Sequence, residues 1–258
     1  MRSNSTAVVT GGGRGIGQAI AVKLARDGAD IVLAGIDEGG MEETVSLIEA
    51  EGQRAIDRYT DLKHYESVQS SIDTALEEFE TIDILVNNAG IAGPTASCEE
   101  ISVEEWDDTI DVNLRGPFFA CKEVLPVMKA QQYGRIVNVA SVTGKRPLEQ
   151  RTPYAATKMG LIGFTRTLAA EVGEYDINVN AICPGSVDGP RIRRVFEQKA
   201  ESTGQSYEDV RQAAEAESPR GELVEREDIA ELAAFLCSDE SERITGQDLN
   251  VSAGKVMY

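Results

Sequence analysis

The stretch T-G-G-G-R-G-I-G, Thr10 to Gly17, follows the apolar run Ala7 to Val9 and leads into an amphipathic segment, Ile16 to Asp27, that closes at Gly28. Strand, glycine loop and helix in that order make the opening of a βαβ unit. Glycines let the backbone come close to a pyrophosphate, and the N-terminus of the next helix offers its N–H groups and dipole to that charge. A glycine loop by itself also fits a plain tight turn, so the rest of the chain decides between the two. Ile31 to Ala34 reads as a second strand and Met41 to Glu51 as a helix stopped by Gly52. Ala55 to Tyr59 and Ile84 to Val86 read as strands around the helix Tyr65 to Phe79. Ile136 to Val139, Val179 to Ile182 and Leu249 to Val251 complete about seven strands.

Strands that alternate with helices, each crossover long enough for a right-handed unit, predict an α/β fold. The expected architecture is one doubly wound parallel sheet with helices on both faces. No linker, internal repeat or low-complexity stretch divides the chain, so residues 1–258 read as a single domain. Arg191 to Glu222 breaks the alternation: it is charged, weakly patterned and expected to be helical in two short pieces. It marks a substrate-loop insertion over about residues 186–222, just past a strand end, where such sheets bind ligands.

A second constellation lies in P-Y-A-A-T-K, where Tyr154 and Lys158 are four residues apart, thirteen residues after Ser141. On a helix, side chains at i and i+4 share a face, so an ammonium beside a phenol favours the ionised form. An unperturbed tyrosine pKa of about 10 is too high for efficient base work at neutral pH. Between the glycine loop and this pair lie N-N-A-G at Asn87 to Gly90, D-V-N at Asp111 to Asn113 and N-V-A-S at Asn138 to Ser141; C-P-G at Cys183 to Gly185 comes after. In that order and spacing the set resembles the short-chain dehydrogenase/reductase family over nearly the whole chain.

The resemblance implies a Rossmann sheet and hydride transfer between nicotinamide and a carbonyl or secondary alcohol carbon. By position, Tyr154 would move the proton, Lys158 would lower the tyrosine pKa and hold the nicotinamide ribose, and Ser141 would hold the substrate oxygen. Asn113 would shape a helix kink and hold a water in the proton path. Gly11, Arg14, Gly15, Ile16 and Gly17 would cradle the cofactor, Asp61 and Leu62 would flank the adenine, and Asn88, Ala89 and Gly90 would pass beneath it. Pro184 and Gly185 would close the nicotinamide pocket, with Val187 presenting backbone groups to the carboxamide. A homotetramer is the family expectation.

The sequence departs from the family pattern at the end of the second strand, A-G-I-D, Ala34 to Asp37. Gly35 stands where NAD-specific relatives usually carry an acid, and Ile36 where NADP-specific ones often carry an arginine. Asp37 lies near the distance expected of a ribose-binding acid, whereas Arg14 suits a 2′-phosphate. NAD is the favoured cofactor and NADP the alternative.

The chain carries 44 acidic and 25 basic residues, a formal charge of −19, which argues against nucleic acid or an anionic membrane as partner. An acidic, lysine-poor surface resembles that of proteins from salt-loving cytoplasms, where screening relieves repulsion; an ordinary acidic protein is the plainer reading. The cysteines Cys98, Cys121, Cys183 and Cys237 form no C-x-x-C pair, and His64 is the only histidine, so no metal site is expected. No apolar run is long enough to span a bilayer, and the N-terminal M-R-S-N-S-T is polar; a cytoplasmic location is expected. The scarce basic residues gather at two segments that border the substrate in this fold: Lys145, Arg146 and Arg151, then Arg191, Arg193 and Arg194. Arginine's planar fork suits a carboxylate, so Arg146, Arg151 and Arg191 are candidate contacts to an anionic small molecule, a sugar acid or deoxy sugar acid. A neutral sugar or polyol, or a 3-oxoacyl thioester, is the alternative substrate, and a non-catalytic dinucleotide-binding protein the alternative of another class.

Overall fold

Seven strands form one sheet in the order β3-β2-β1-β4-β5-β6-β7 in the computed structural model, which describes residues 5–258, with the side chains of Arg191, Gln198 and Ser202 outside the description. The strands are β1 (Thr6–Thr10), β2 (Asp30–Gly35), β3 (Ala55–Tyr59), β4 (Ile84–Asn87), β5 (Gly134–Val139), β6 (Ile177–Pro184) and β7 (Asp248–Val251). Every pairing is parallel, so both faces need cover. The order reverses at β1, with β2 on one side and β4 on the other, and this switch point leaves a crevice at the carboxyl ends of the strands.

Successive side chains of a strand point to opposite faces, and the cores follow that rule. Ala7, Val9, Ile31, Leu33, Ile84 and Val86 pack on one face against α1 (Gly15–Arg26), α2 (Glu38–Ala50) and, further along the chain, α9 (Arg226–Leu236). Val8, Val32, Ala34, Leu85 and Ile136 pack on the other against α3 (Tyr65–Phe79), α5 (Gly116–Gln131) and α6 (Thr152–Val172). α4 (Val103–Ile110) runs into α5 through a π-helical turn, Asp111–Arg115.

The expected strands and the helices α1 and α3 appear where the sequence places them, longer at some ends. α2 starts at Glu38, three residues before Met41, because the Asp37 carboxylate accepts from the Gly40 N–H at 3.3 Å and caps a helix that two glycines would otherwise delay. The charged segment past β6 folds as α7 (Pro190–Thr203) and α8 (Tyr207–Ala216), the two short helices expected there. Phe196, Val210 and Leu223 give this pair a small core of its own. Residues 1–4, part of the polar N-terminal stretch, lie outside the described residues. Among the described residues no helix is long and apolar enough to cross a membrane.

Candidate active site

Two elements build the site, the glycine loop after β1 and the N-terminal half of α6, and both lie at the carboxyl edge of the sheet. At Gly11, Gly12, Gly13 and Gly17 the loop has little or no room for a side chain. A Cβ on Gly17 would lie 2.2 Å from the Gly11 carbonyl oxygen and 2.4 Å from Asn88 Nδ2, and Gly11 holds a φ of +66° that suits glycine. Asn88, just past the end of β4, fixes the loop: its Nδ2 donates to the carbonyls of Thr10 at 3.0 Å and Gly11 at 3.1 Å. The backbone N–H groups of Asn88 and Ala89 donate to the Thr10 hydroxyl. The result is a bare-backbone cradle ahead of the N-terminus of α1, the shape and polarity that a pyrophosphate needs.

Around this cradle the structure gathers most of the proposed cofactor residues. Gly15, Ile16 and Gly17 form the first turn of α1, and Arg14 precedes it in extended backbone. Arg14 Nε lies 3.6 Å from the Asp37 carboxylate, so the two residues that point to opposite cofactors form an ion pair. Ile36, between β2 and the Asp37 cap, is 66% exposed. Asp61 and Leu62 follow β3; Leu62 is buried and Asp61 turns back to accept from the Lys63 N–H at 3.0 Å. At the far end, the Gly185 N–H donates to the Val251 carbonyl just after Pro184 ends β6. Val187 bridges Val224 through its neighbours: Val224 N–H donates to the Ser186 carbonyl and Asp188 N–H to the Val224 carbonyl. In a parallel bridge of that pattern the N–H and carbonyl of Val187 itself point away from Val224, free of that pairing.

Asn113 stands in the π-helical turn between α4 and α5. Its side chain is buried and clamps a loop: the Ile91 N–H donates to Oδ1 at 2.8 Å, and Nδ2 donates to the Ile91 carbonyl at 3.0 Å and to Thr157 Oγ1 at 3.3 Å. A Cβ on Gly90 would lie 3.1 Å from Asn113 Oδ1 and 3.7 Å from Lys158 Nζ, so Gly90, Asn113 and Lys158 meet at one place. Lys158 is 4% exposed, and its ammonium donates to the Val139 carbonyl at 2.8 Å. Its charge sits 5.7 Å from the centre of the Tyr154 ring, on the shared helix face that the i, i+4 spacing predicts.

Ser141 follows β5 and opens a short turn, Val142–Gly144. Its Oγ accepts from the Thr143 N–H at 3.1 Å. That bond occupies an acceptor site and leaves the hydroxyl proton to be donated, the polarity that a substrate oxygen gaining negative charge requires. The turn lies directly on α6, where a Cβ on Gly144 would come within 2.8 Å of the Lys158 backbone. Lys158 is thus the common neighbour: Asn113 of the π-helical turn approaches it across Gly90, the turn that Ser141 opens packs on its backbone, and Tyr154 lies one helical turn before it.

Two of the three arginines expected to contact substrate are engaged within the fold. Arg146 pairs with Glu217 at 3.5 Å. Arg151 donates to the Ala92 carbonyl at 2.7 Å, and its guanidinium carbon lies 5.2 Å from the centre of the Tyr154 ring. Arg191 belongs to α7, with its side chain outside the described residues. Sequence reasoning passed over Thr10, which holds N-N-A-G against the glycine loop, and Thr157, which meets Asn113. It also passed over the buried chain in which Asn87 Nδ2 donates to Asn138 Oδ1 and Asn138 Nδ2 to Thr165 Oγ1. The signal for the last was there, in asparagines at the ends of two neighbouring strands. Among the described residues no group of three or more His, Cys, Asp or Glu is arranged to hold a metal ion.

Comparison with known proteins agrees with this fold. A family model described as enoyl-(acyl carrier protein) reductase matches residues 11–255. The 3-oxoacyl-(acyl-carrier-protein) reductase of Chlamydia trachomatis is 37% identical, over 97% of this chain and 97% of its own. The crystal structure of an actinorhodin polyketide ketoreductase with NADPH superposes with a TM-score of 0.94 at 33% identity, covering 99% of this chain and 98% of that one. An NAD+-bound xylitol dehydrogenase superposes with a TM-score of 0.93 at 30% identity, covering 98% and 100%. The chain is an NAD(P)-dependent oxidoreductase of alcohol and ketone groups, and it belongs to the short-chain dehydrogenase/reductase family.

Proposed function

We propose that this protein interconverts a secondary alcohol and a ketone with Tyr154 as the proton-transferring residue, Lys158 as its cation and Ser141 as the donor to the substrate oxygen. The observation that carries this reading is the Lys158 ammonium 5.7 Å from the centre of the Tyr154 ring, with Asn113 and the turn that Ser141 opens packed about Lys158, in a chain whose glycine loop leaves no space for a Cβ at Gly11 and Gly17. A bound nicotinamide supplies or accepts the hydride. Tyr154 gives a proton to the developing alkoxide in reduction and takes the hydroxyl proton in oxidation. The nearby ammonium of Lys158 favours the phenolate, and Ser141 stabilises charge on the oxygen at the moment it forms. Asn113, tied on both sides to Ile91, keeps the loop after N-N-A-G at a fixed distance from Lys158.

The whole chain serves as one dinucleotide-binding and catalytic domain, with α7 and α8 as the cover over the substrate. NAD is the preferred cofactor: Asp37 and Glu38 set negative charge near the 2′ position, and Arg14 is held by Asp37 rather than offered to a phosphate. The exposed apolar side chains Met257 and Tyr258 at the C-terminus and Met159 on α6 suit the interfaces of a homotetramer.

For the substrate we favour an anionic hydroxy or oxo compound, a sugar acid or deoxy sugar acid, with Arg151 as the cation beside Tyr154. A 3-oxoacyl thioester is the second reading, favoured by the pairing of Lys145 with Asp248 and of Arg146 with Glu217, which leaves little cationic charge uncommitted near Ser141. Turnover of matched acid, neutral polyol and oxoacyl thioester substrates by the native chain and by Arg151→Ala separates them. The acid reading expects the variant to lose the acid selectively, by about tenfold or more as for a charge-assisted hydrogen bond. Equal loss for all three substrates contradicts it.

A further inference from the structure

Lys145 is a charged side chain in the interior for which the catalytic reading has no use. Its side chain is 9% exposed, and that of its partner Asp248 is 13% exposed. The ammonium reaches Asp248 Oδ2 at 2.7 Å and donates to the Asp248 backbone carbonyl at 2.6 Å. The other carboxylate oxygen takes two donors of Arg166, Nη2 at 2.6 Å and Nε at 3.1 Å. Each of the three residues stands on a different part of the site. Lys145 ends the turn that Ser141 begins, Asp248 opens β7, and Arg166 lies on α6, the helix of Tyr154 and Lys158.

The turn between Ser141 and Lys145 is short and internally bonded. Gly144 N–H donates to the Ser141 carbonyl and Lys145 N–H to the Val142 carbonyl. A displacement of Lys145 is therefore passed to Ser141 through a few stiff bonds rather than absorbed. On its inner side the turn is seated by Gly144 against the Lys158 backbone. On its outer side Lys145 and Asp248 tie it to the sheet edge.

We propose that Lys145 is a positioning residue for Ser141, and that the bridge Lys145–Asp248–Arg166 sets the distance between the Ser141 hydroxyl and the Tyr154 helix. Exposed ion pairs contribute little. Here the Lys145–Asp248 half is nearly enclosed, while Arg166 reaches the same carboxylate from the solvent side with its side chain 61% exposed, so removal of Lys145 leaves a mostly buried carboxylate paired only to an exposed arginine. Misplacement of a catalytic donor by about 1 Å costs up to about 10²-fold in rate, and that is the scale of effect the bridge controls. The proposal rests on Ser141 as the donor to the substrate oxygen.

A double-mutant cycle on the full-length chain tests it. In the native background, Lys145→Met should lower kcat about tenfold or more, with dinucleotide affinity by calorimetry unchanged, and Lys145→Arg should recover most of the loss. In a Ser141→Ala background, Lys145→Met should lower kcat no further, because no hydroxyl remains to be placed. Asp248→Asn, which keeps shape and removes charge, should behave the same way and serves if Lys145→Met folds poorly. An additive loss in the Ser141→Ala background, or a fall in dinucleotide affinity matching the fall in kcat, overturns the positioning role while leaving Ser141 in place. Full turnover by Ser141→Ala alone overturns the catalytic reading and the positioning role with it.

Discussion

Burial decides the chemistry of the four cysteines. Cys121 and Cys237 sit in the apolar layers, and burial pushes both thiols up to about 12. Cys183 at the end of β6 is pushed up to about 11, again by burial, although Lys145 and Lys158 pull the other way. Cys98, before α4, is exposed. Only a thiolate is an effective nucleophile, so an alkylating agent at mildly alkaline pH should label Cys98 in the native protein and leave the other three unlabelled until denaturant is added. Peptide mass analysis reads this directly, and early labelling of Cys121 or Cys237 would show a looser core than the one described. The wide spacing of these residues already argued against a disulfide framework. Tyr154 and Lys158 were equally legible, since their relation is local and follows from helical periodicity. Lys145 was read only as a candidate charge near the substrate, because its partner Asp248 is 103 residues away and only the folded sheet edge brings the two together.

The glycine loop shows why a local pattern was readable and where it stopped. Strand, glycines and helix are contiguous, so the cradle follows from the order of residues, but part of the close contact that leaves Gly17 no room comes from Asn88, just past β4. Gly17→Ala would force a methyl group to within 2.2 Å of the Gly11 carbonyl oxygen. Relief must come from shifting the loop or Asn88, at a cost of about 1–3 kcal/mol. Dinucleotide affinity measured by calorimetry should weaken about tenfold or more, accompanied by a lower unfolding temperature; unchanged affinity would mean that the loop does not hold the cofactor. The π-helical turn around Asn113 was legible only through the family resemblance. The Asn113 side chain there is held by bonds to Ile91 and Thr157 across the fold, which helical periodicity does not reveal. The start of α2 was misplaced for a related reason: Gly39 and Gly40 look like breakers until Asp37 is seen to cap them.

For the molecule as a whole, charge is the dominant physical fact. A formal charge of −19 on 258 residues opposes close approach of copies at low salt. If the exposed Met159, Met257 and Tyr258 lie in interfaces, added salt should drive assembly, because screening shortens the Debye length from about 10 Å at 0.1 M to about 3 Å at 1 M. Light scattering over that range should show mass rising towards a tetramer, and a monomer at high salt would contradict the assembly. The fold class was legible at this level because strand and helix alternate along nearly the entire chain. The substrate was not, because two of the basic residues that suggested an anion, Arg146 and Lys145, pair with Glu217 and Asp248 from distant segments. The central claim is that Tyr154 transfers the proton in a nicotinamide-dependent oxidation and reduction. It is tested most directly by following nicotinamide absorbance with a panel of hydroxy and oxo compounds, for the native chain and for Tyr154→Phe, alongside dinucleotide binding by both. The native chain should turn over at least one of them, and the variant should bind dinucleotide as well but turn over about 10²-fold more slowly or worse; native rates in Tyr154→Phe would contradict the claim.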